Sequence, residues 1–341
     1  MKKLYVFVIM LFLMIGLYPT SIFGENTSPI SVSPVLPENQ VKEISSYFYL
    51  QVEPNQQQIL HFNVQNLSDK EQTVKLFPVD AFTLPTGGIF YEEKSETDDS
   101  QLLEPTLAIS NFITIPETVT VPPNSSKQVA ITVKVPNVTE GTFVGAIRAV
   151  GLSDQEQQVE TGETNVTIRN QITFTTGIVL ELPNQPNPQF SFGEVGIRTN
   201  PPTTELWFEL FNKAQMVLRG TTISYEVIYQ DEVLFSGTTE AITMVPNTVI
   251  RFPVEWQYGE LEPGTYQVNL SANVMGEEIQ HEESFEVEDE QTEEHEQNLE
   301  QADTEHTQTG TSLPWWIWVV GGVVLILVFL MAYLLGKRNR R

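Results

Sequence analysis

The chain contains no cysteine. A chain without thiols has no disulfides to staple a small fold, so its cores must be large enough to hold unaided. Disulfide-rich modules, antibody-type sandwiches with an inter-sheet bridge, thiol nucleophiles and cysteine-ligated zinc are excluded together. Basic residues are also scarce: 18 lysines and arginines stand against 44 aspartates and glutamates, giving a formal net charge of −26. All the acidic residues lie between Glu25 and Glu305. Such a surface repels nucleic acid and anionic headgroups and suits cationic partners, although solubility alone also accounts for acidity. Histidine numbers only four. His61 alternates with Leu60 and Phe62 on a strand pattern, and His281, His295 and His306 lie near or within an acidic C-terminal stretch. No Gly-x-Ser-x-Gly elbow, phosphate loop or metal-ligand spacing accompanies them. Carboxylates are so abundant that no pair stands out as a glycosidase dyad. The expectation is a non-enzyme with no catalytic, cofactor or metal residues.

Long apolar runs occur only at the two ends. Lys2 and Lys3 precede the apolar stretch Leu4–Leu17, followed by Pro19, Thr20, Ser21 and the small Gly24. This order of charged, apolar and polar regions predicts a signal peptide over residues 1–24. The uncharged run Trp315–Leu335 is long enough, at about 1.5 Å per residue, to cross a hydrocarbon layer of about 30 Å. Trp315, Trp316 and Trp318 crowd one end, and Lys337, Arg338, Arg340 and Arg341 close the other. Aromatic-belt and positive-inside preferences predict a transmembrane helix at 313–336 with a cytoplasmic tail at 337–341. The bulk of the chain is then extracellular, held at the cell membrane by one span. A wall-sorting signal would need Leu-Pro-x-Thr-Gly, and Leu313-Pro314-Trp315-Trp316-Ile317 does not spell it.

Between those ends no helical apolar stripe appears. Leu60, Phe62 and Val64 alternate with polar residues, as do Val129, Ile131, Val133 and Val135, and later Ile223, Tyr225 and Val227. Pro and Gly break these runs at short intervals, at Pro54, Pro78, Pro85, Gly87-Gly88, Pro116 and Pro122-Pro123. Period-two alternation with frequent turn signals predicts an all-β chain of sandwich type. The halves look alike. Phe62–Ser68 resembles Trp207–Lys213, each a strand running into Asn, and Pro122-Pro123-Asn124-Ser125-Ser126 resembles Val245-Pro246-Asn247-Thr248. Two tandem immunoglobulin-like β-sandwiches follow, one over 25–160 and one over 161–287. The polar stretch between Gly151 and Gly162 reads equally as a linker or as a hairpin loop. Residues 288–312 are acidic and almost free of apolar side chains, which predicts a disordered stalk. In Tyr47-Phe48-Tyr49, alternation sends Phe48 to the core and leaves Tyr47 and Tyr49 on the other face. Trp207 and Trp256 are expected in the core.

Several segments carry a resemblance. Ile30–Gln40, ending in Pro37-Glu38-Asn39-Gln40, leads into Tyr47-Phe48-Tyr49-Leu50. The Asn-ended strand at Asn66, the turn Thr86-Gly87-Gly88-Ile89-Phe90-Tyr91 and Gly141–Ile147 follow. This half resembles the peptidoglycan-binding domain of the WxL-interacting proteins of Gram-positive bacteria. The second half, through Ile168–Gln171, Val179–Glu181, Val245–Asn247, Leu261–Tyr266 and Phe285–Val287, is similar to that family's host-binding domain. Where the family often has a Trp before the last strand, this chain has Gln280-His281-Glu282. It contains no Trp-x-Leu of its own. The resemblance implies a surface scaffold that touches peptidoglycan and holds secreted WxL-domain proteins or host extracellular proteins. A wall-remodelling hydrolase or an accessory adhesin is the alternative. Glu38, Asn39, Gln40, Tyr47 and Tyr49 are the candidate wall-binding residues.

Overall fold

The computed structural model describes residues 28–93, 99–152, 156–161, 164–169, 171–199 and 203–308. The signal peptide, transmembrane helix and basic tail expected from the sequence lie outside the described residues. Among the described residues no helix is long and apolar enough to cross a membrane.

The strands in chain order are β1 (Ile30–Val35), β2 (Phe48–Gln51), β3 (Gln57–Asn66), β4 (Gln72–Thr83), β5 (Ile89–Glu92), β6 (Ser100–Leu102), β7 (Ile113–Thr114), β8 (Thr118–Val121), β9 (Ser126–Lys134), β10 (Thr142–Leu152), β11 (Glu156–Thr161), β12 (Thr164–Arg169) and β13 (Thr173–Glu181). The second half continues with β14 (Phe190–Arg198), β15 (Glu205–Asn212), β16 (Leu218–Tyr229), β17 (Glu232–Thr238), β18 (Ile242–Met244), β19 (Thr248–Glu255), β20 (Gly264–Val274) and β21 (Glu277–Val287). One α-helix, α1 (Asp289–Gln308), follows.

The chain divides into two compact units. The first comprises Met1–Ala81, Tyr91–Lys94 and Thr106–Gln185, and the second Phe82–Phe90, Ser95–Pro105 and Pro186–Arg341. In the first unit one sheet runs β1-β3-β9-β7 and the other β2-β13-β10-β4-β5, with β8 also on β4. Alternation decides what lies between them. Leu60, Phe62, Ile131, Val133, Phe143, Ile147, Ile178 and Leu180 pack into one buried cluster, while their sequence neighbours turn outward. The second unit repeats the scheme with β14-β15-β19-β6 facing β17-β16-β20-β21. Its core includes Leu206, Phe208, Leu210, Ile223, Val227 and Leu270, with Trp256 and Phe285 against the central Tyr266 ring.

The likeness of the halves extends to their hydrogen bonds. The Asn66 amide, 1% exposed, donates to the carbonyls of Lys70 at 2.7 Å and Val121 at 3.0 Å and accepts the Ser68 N–H at 2.9 Å. Asn212, fully buried, donates to Met216 and Val245 at 2.8 Å each and accepts the Ala214 N–H at 3.2 Å. Facing each is an asparagine with positive φ, Asn124 at 50° and Asn247 at 58°. Their N–H groups bond Ser68 O at 3.0 Å and Ala214 O at 3.2 Å. Asn enters this left-handed region more readily than most residues, which explains its place in both turns.

Three expectations need correction. The division expected near residue 160 falls at the tip of the β11–β12 hairpin, and β13 beyond it pairs with β10 and, in parallel, with β2. The polar stretch is thus a hairpin within the first unit, which continues to Gln185. The first unit is not contiguous either, because β6 joins β19 of the second unit with Leu102 opposite Thr248. Local polarity marks a loop, but only pairing shows where its flanking strands belong. Trp207 is not in the core. Leu206 and Phe208 are, so alternation places Trp207 on the outer face, with Arg251 over its ring at 4.7 Å.

The third correction concerns the stalk. Residues Asp289–Gln308 are helical, with Asp289 and Glu290 in the first turn where the helix dipole favours them. Gln291 Oε1 reaches back to the Glu288 N–H at 3.0 Å, half of a capping box. The buried side chains are polar, which is why no apolar stripe announced the helix. His295 Nδ1 lies 2.9 Å from Thr204 Oγ1, and the Asn298 amide donates to Thr199 O at 3.0 Å. Burial pushes the His295 imidazole below its usual 6.5, outweighing the opposing pull of the Gly259 carbonyl and Glu296. The docked helix therefore holds a neutral ring, and the undocked helix binds the proton more tightly. The stability that the neutral ring contributes to docking is present above the ordinary value of 6.5 and is lost as pH falls below it. Hydrogen exchange corrected for intrinsic rates is expected to show loss of α1 protection between pH 7.5 and pH 5.5 (about one unit to either side of the ordinary value). His295→Gln should remove that dependence; a helix equally protected at both pH values would contradict it.

Candidate functional site

The candidate residues lie on the first unit, at β2 and the segment before it. Pro37-Glu38-Asn39-Gln40 forms a turn whose main chain covers the outer edge of β2. Val41 N donates to Tyr49 O at 2.8 Å and Gln51 N to Asn39 O at 3.1 Å. The Asn39 amide donates to Gln51 O at 2.8 Å and pairs reciprocally with the Gln58 amide at 2.8 and 3.0 Å. Gln40 Nε2 bridges the carbonyls of Ile44 and Tyr47 at 2.9 and 3.0 Å, while its oxygen accepts the Tyr49 N–H at 3.1 Å. The polar groups of these two side chains are committed to holding β2 in place. Glu38 is exposed at the same turn.

Tyr47 and Tyr49 stand on the outer face, their rings 6.5 Å apart and nearly parallel at 21°. Register extends that face across the sheet. Phe48 lies opposite Ile178, so Tyr47 neighbours Gly177; Gly177 pairs with Ala146, and Ala146 with Val79. The row Tyr47–Gly177–Ala146–Val79 thus offers small side chains at its centre. Ala146 and Val79 are fully buried although neither belongs to the interior clusters. Tyr91 lies over Gly177. A Cβ added to Gly177 would sit 3.4 Å from the Tyr91 hydroxyl and 3.6 Å from Tyr47. The glycine lets both rings lie close to the sheet.

Arg148 sits one pleat further along the same face. Its guanidinium bonds Glu92 Oε2 at 2.9 Å and the Tyr91 carbonyl, fixing the strand that carries Tyr91. Burial, and then the Tyr47 phenol, raise the Tyr91 pKa above 10.0. Tyr91 therefore keeps its proton, and its hydroxyl is available as a donor, across the neutral range. The sequence pointed to Tyr47 and Tyr49 but not to Tyr91, Gly177 or Arg148 as their companions. Those residues are distant in the chain, and strand pairing alone brings them to one face.

An aromatic sheet face over small residues thus lies on the first of the two β-sandwich units. The chain belongs to the WxL interacting protein family: residues 30–150 match its peptidoglycan binding domain and residues 163–297 its host binding domain. Both matched domains are binding domains. No curated protein matches the chain in sequence. Among solved structures, the CupB2 chaperone of Pseudomonas aeruginosa is 12% identical, covering 67% of this chain and 92% of that one, with a TM-score of 0.26. The CsuC-CsuE chaperone-tip adhesion subunit pre-assembly complex from Acinetobacter baumannii is 10% identical, with 68% and 93% covered and a TM-score of 0.33. The E. coli chaperone DraB is 11% identical, with 76% and 95% covered and a TM-score of 0.29. Scores this low carry no functional argument, and the sandwich architecture rests on the strand pairing.

Proposed function

We propose that the chain is a membrane-anchored surface scaffold. Its first unit docks on peptidoglycan through the Tyr47–Tyr49–Tyr91 face, and its second holds a secreted WxL-type or host protein at the envelope. The run Trp315–Leu335 with its basic tail supplies the anchor in this reading. The observation that carries it is the row of Tyr47, Gly177, Ala146 and Val79 with Tyr91 laid beside it. Pyranose rings pack their C–H faces on flat aromatic surfaces, and phenol hydroxyls bond the ring substituents. Asn39 and Gln40 act in this scheme by positioning β2, with Glu38 at the rim.

The test is pelleting of the full-length, detergent-solubilised chain with purified peptidoglycan. Tyr47→Ala and Tyr91→Ala are each expected to weaken association about tenfold, the loss of roughly 1.4 kcal/mol of ring contact. The melting temperature of Tyr47→Ala should change little, whereas Tyr91→Ala, which removes a ring packed on the sheet over Gly177, should also lower melting. Asn39→Ala and Gln40→Ala should lower melting and pelleting together, because they loosen the strand. Tyrosine variants that pellet like the parent would sink the assignment. Sustained release of soluble wall fragments by the parent would favour the hydrolase alternative instead.

A further inference from the structure

Several sheet edges among the described residues are blunted. An open edge exposes a row of unpaired N–H and C=O groups, a template for another strand. β1 carries Pro34 and β2 is covered by the main chain of residues 39–41. In the second unit β19 is extended by β6, and the Arg251 N–H donates to Asp99 O at 3.0 Å. Alternation turns residue 253 to that same side, where proline offers no donor. β18 is flanked by the Thr86–Gly88 turn, whose Gly88 N–H bonds Thr243 O at 2.9 Å. β21 lies beside β14, where His281 stacks on Phe192 at 5.7 Å.

β17 differs. It is a seven-residue edge strand, Glu-Val-Leu-Phe-Ser-Gly-Thr, with neither proline nor lysine. Among the described residues it pairs with β16 alone. The Thr239 N–H points to Ile223 O at 2.8 Å, so alternation turns the N–H groups of Thr238 and Ser236 away from β16. Val233 is 55% exposed beside them. The charge around this edge has one sign. From Gly220 to Gln308 the chain has a single lysine or arginine, Arg251. Glu232 opens β17, Asp231 and Glu240 flank it, and a concavity of about 860 Å³ along its sheet is lined by Glu226, Glu278 and Glu282.

We infer that the free edge of β17 accepts an extended, cationic strand from a partner protein. This rests on the proposed protein-holding role of the second unit and gives it a mechanism. Main-chain hydrogen bonds supply the pairing, and lysines or arginines on the added strand meet the carboxylates beside this edge, Asp231, Glu232 and Glu240. A second copy of this chain is a poor occupant, because it would bring the same negative charge to the edge.

The experiment uses the full-length chain in detergent micelles and a synthetic peptide of about ten residues alternating lysine with valine and threonine. Two control peptides carry glutamate for lysine, or N-methyl groups on every second backbone nitrogen. The lysine peptide is expected to bind and to weaken as salt is raised, since exposed charges are screened beyond about 8 Å at physiological ionic strength. Both controls should fail. Ser236→Pro, which removes one outward donor, should weaken binding about tenfold, the equivalent of one hydrogen bond. Ser236→Ala should not. Equal binding of the N-methylated peptide, equal binding of the glutamate peptide, or an unaffected Ser236→Pro chain would each overturn the inference. So would self-association of the parent that Ser236→Pro abolishes. If Ser236→Pro does not fold, the N-methylated peptide decides alone. Capture of a WxL-type or host protein undiminished by Ser236→Pro would overturn the edge mechanism while leaving the holding role intact.

Discussion

Replacing Asn66 or Asn212 by alanine is expected to destabilise the unit that contains it by about 3 kcal/mol. Each side chain is buried and bridges a turn to a neighbouring strand through two or more main-chain carbonyls. Truncation orphans those carbonyls and the N–H of the residue two positions on. A net hydrogen bond is worth about 1 kcal/mol and an unsatisfied buried group costs about 1–3 kcal/mol, so two or three together reach the stated size. Aspartate is the sharper variant, because it keeps the acceptor but turns a carboxylate toward carbonyl oxygens. It should be no better than alanine. Denaturant unfolding of the two alanine variants checks both, and a loss below about 1 kcal/mol would mean that water substitutes for the amide.

Gly145→Ala is expected to cost a similar amount for a different reason. Gly145 lies on the inward face of β10, opposite Asp80. A Cβ there would sit 2.1 Å from Ile109 Cγ2 and 2.6 Å from the Val79 carbonyl. Ile109 opens a short 3-10 turn, Ile109–Phe112, held by Asp80, whose carboxylate accepts the Ser110 N–H at 2.8 Å and hydroxyl at 2.7 Å. Neither the strand carbonyl nor the anchored turn can retreat cheaply, and overpacking of this kind costs about 1–3 kcal/mol. A thermal midpoint unchanged from the parent would show that the turn moves freely. Ile109→Ala in the same background should recover part of the loss by making room.

The alternation that buried Phe48 and exposed Tyr47 and Tyr49 was legible because strand geometry fixes side-chain direction over a few residues. The same local rule, applied to Phe62–Asn66 and Trp207–Asn212, revealed the repeated asparagine turn. The same rule puts Trp207, between buried Leu206 and Phe208, on the outer face, against the expectation of a core position. Helix α1 was missed because its buried face is made of His295 and Asn298, and hydropathy does not see docking through polar groups. The candidate face was half legible. Tyr47 and Tyr49 are two residues apart, but Tyr91, Ala146 and Gly177 come from three other strands, and no sequence pattern encodes which strands become neighbours.

The chain by itself determined what depends on composition and local periodicity. No cysteine means unstapled cores, 44 acidic against 18 basic residues make the chain acidic, and period-two alternation yields sandwiches. Tertiary structure decided everything that depends on register. It assigned β13 to the first unit and β6 to the second, set Tyr91 beside Tyr47 over Gly177, and left β17 an edge paired with β16 alone. Pairing between distant strands is chosen by the packing of whole faces rather than by any single segment, so those assignments exist only once the sheets have formed.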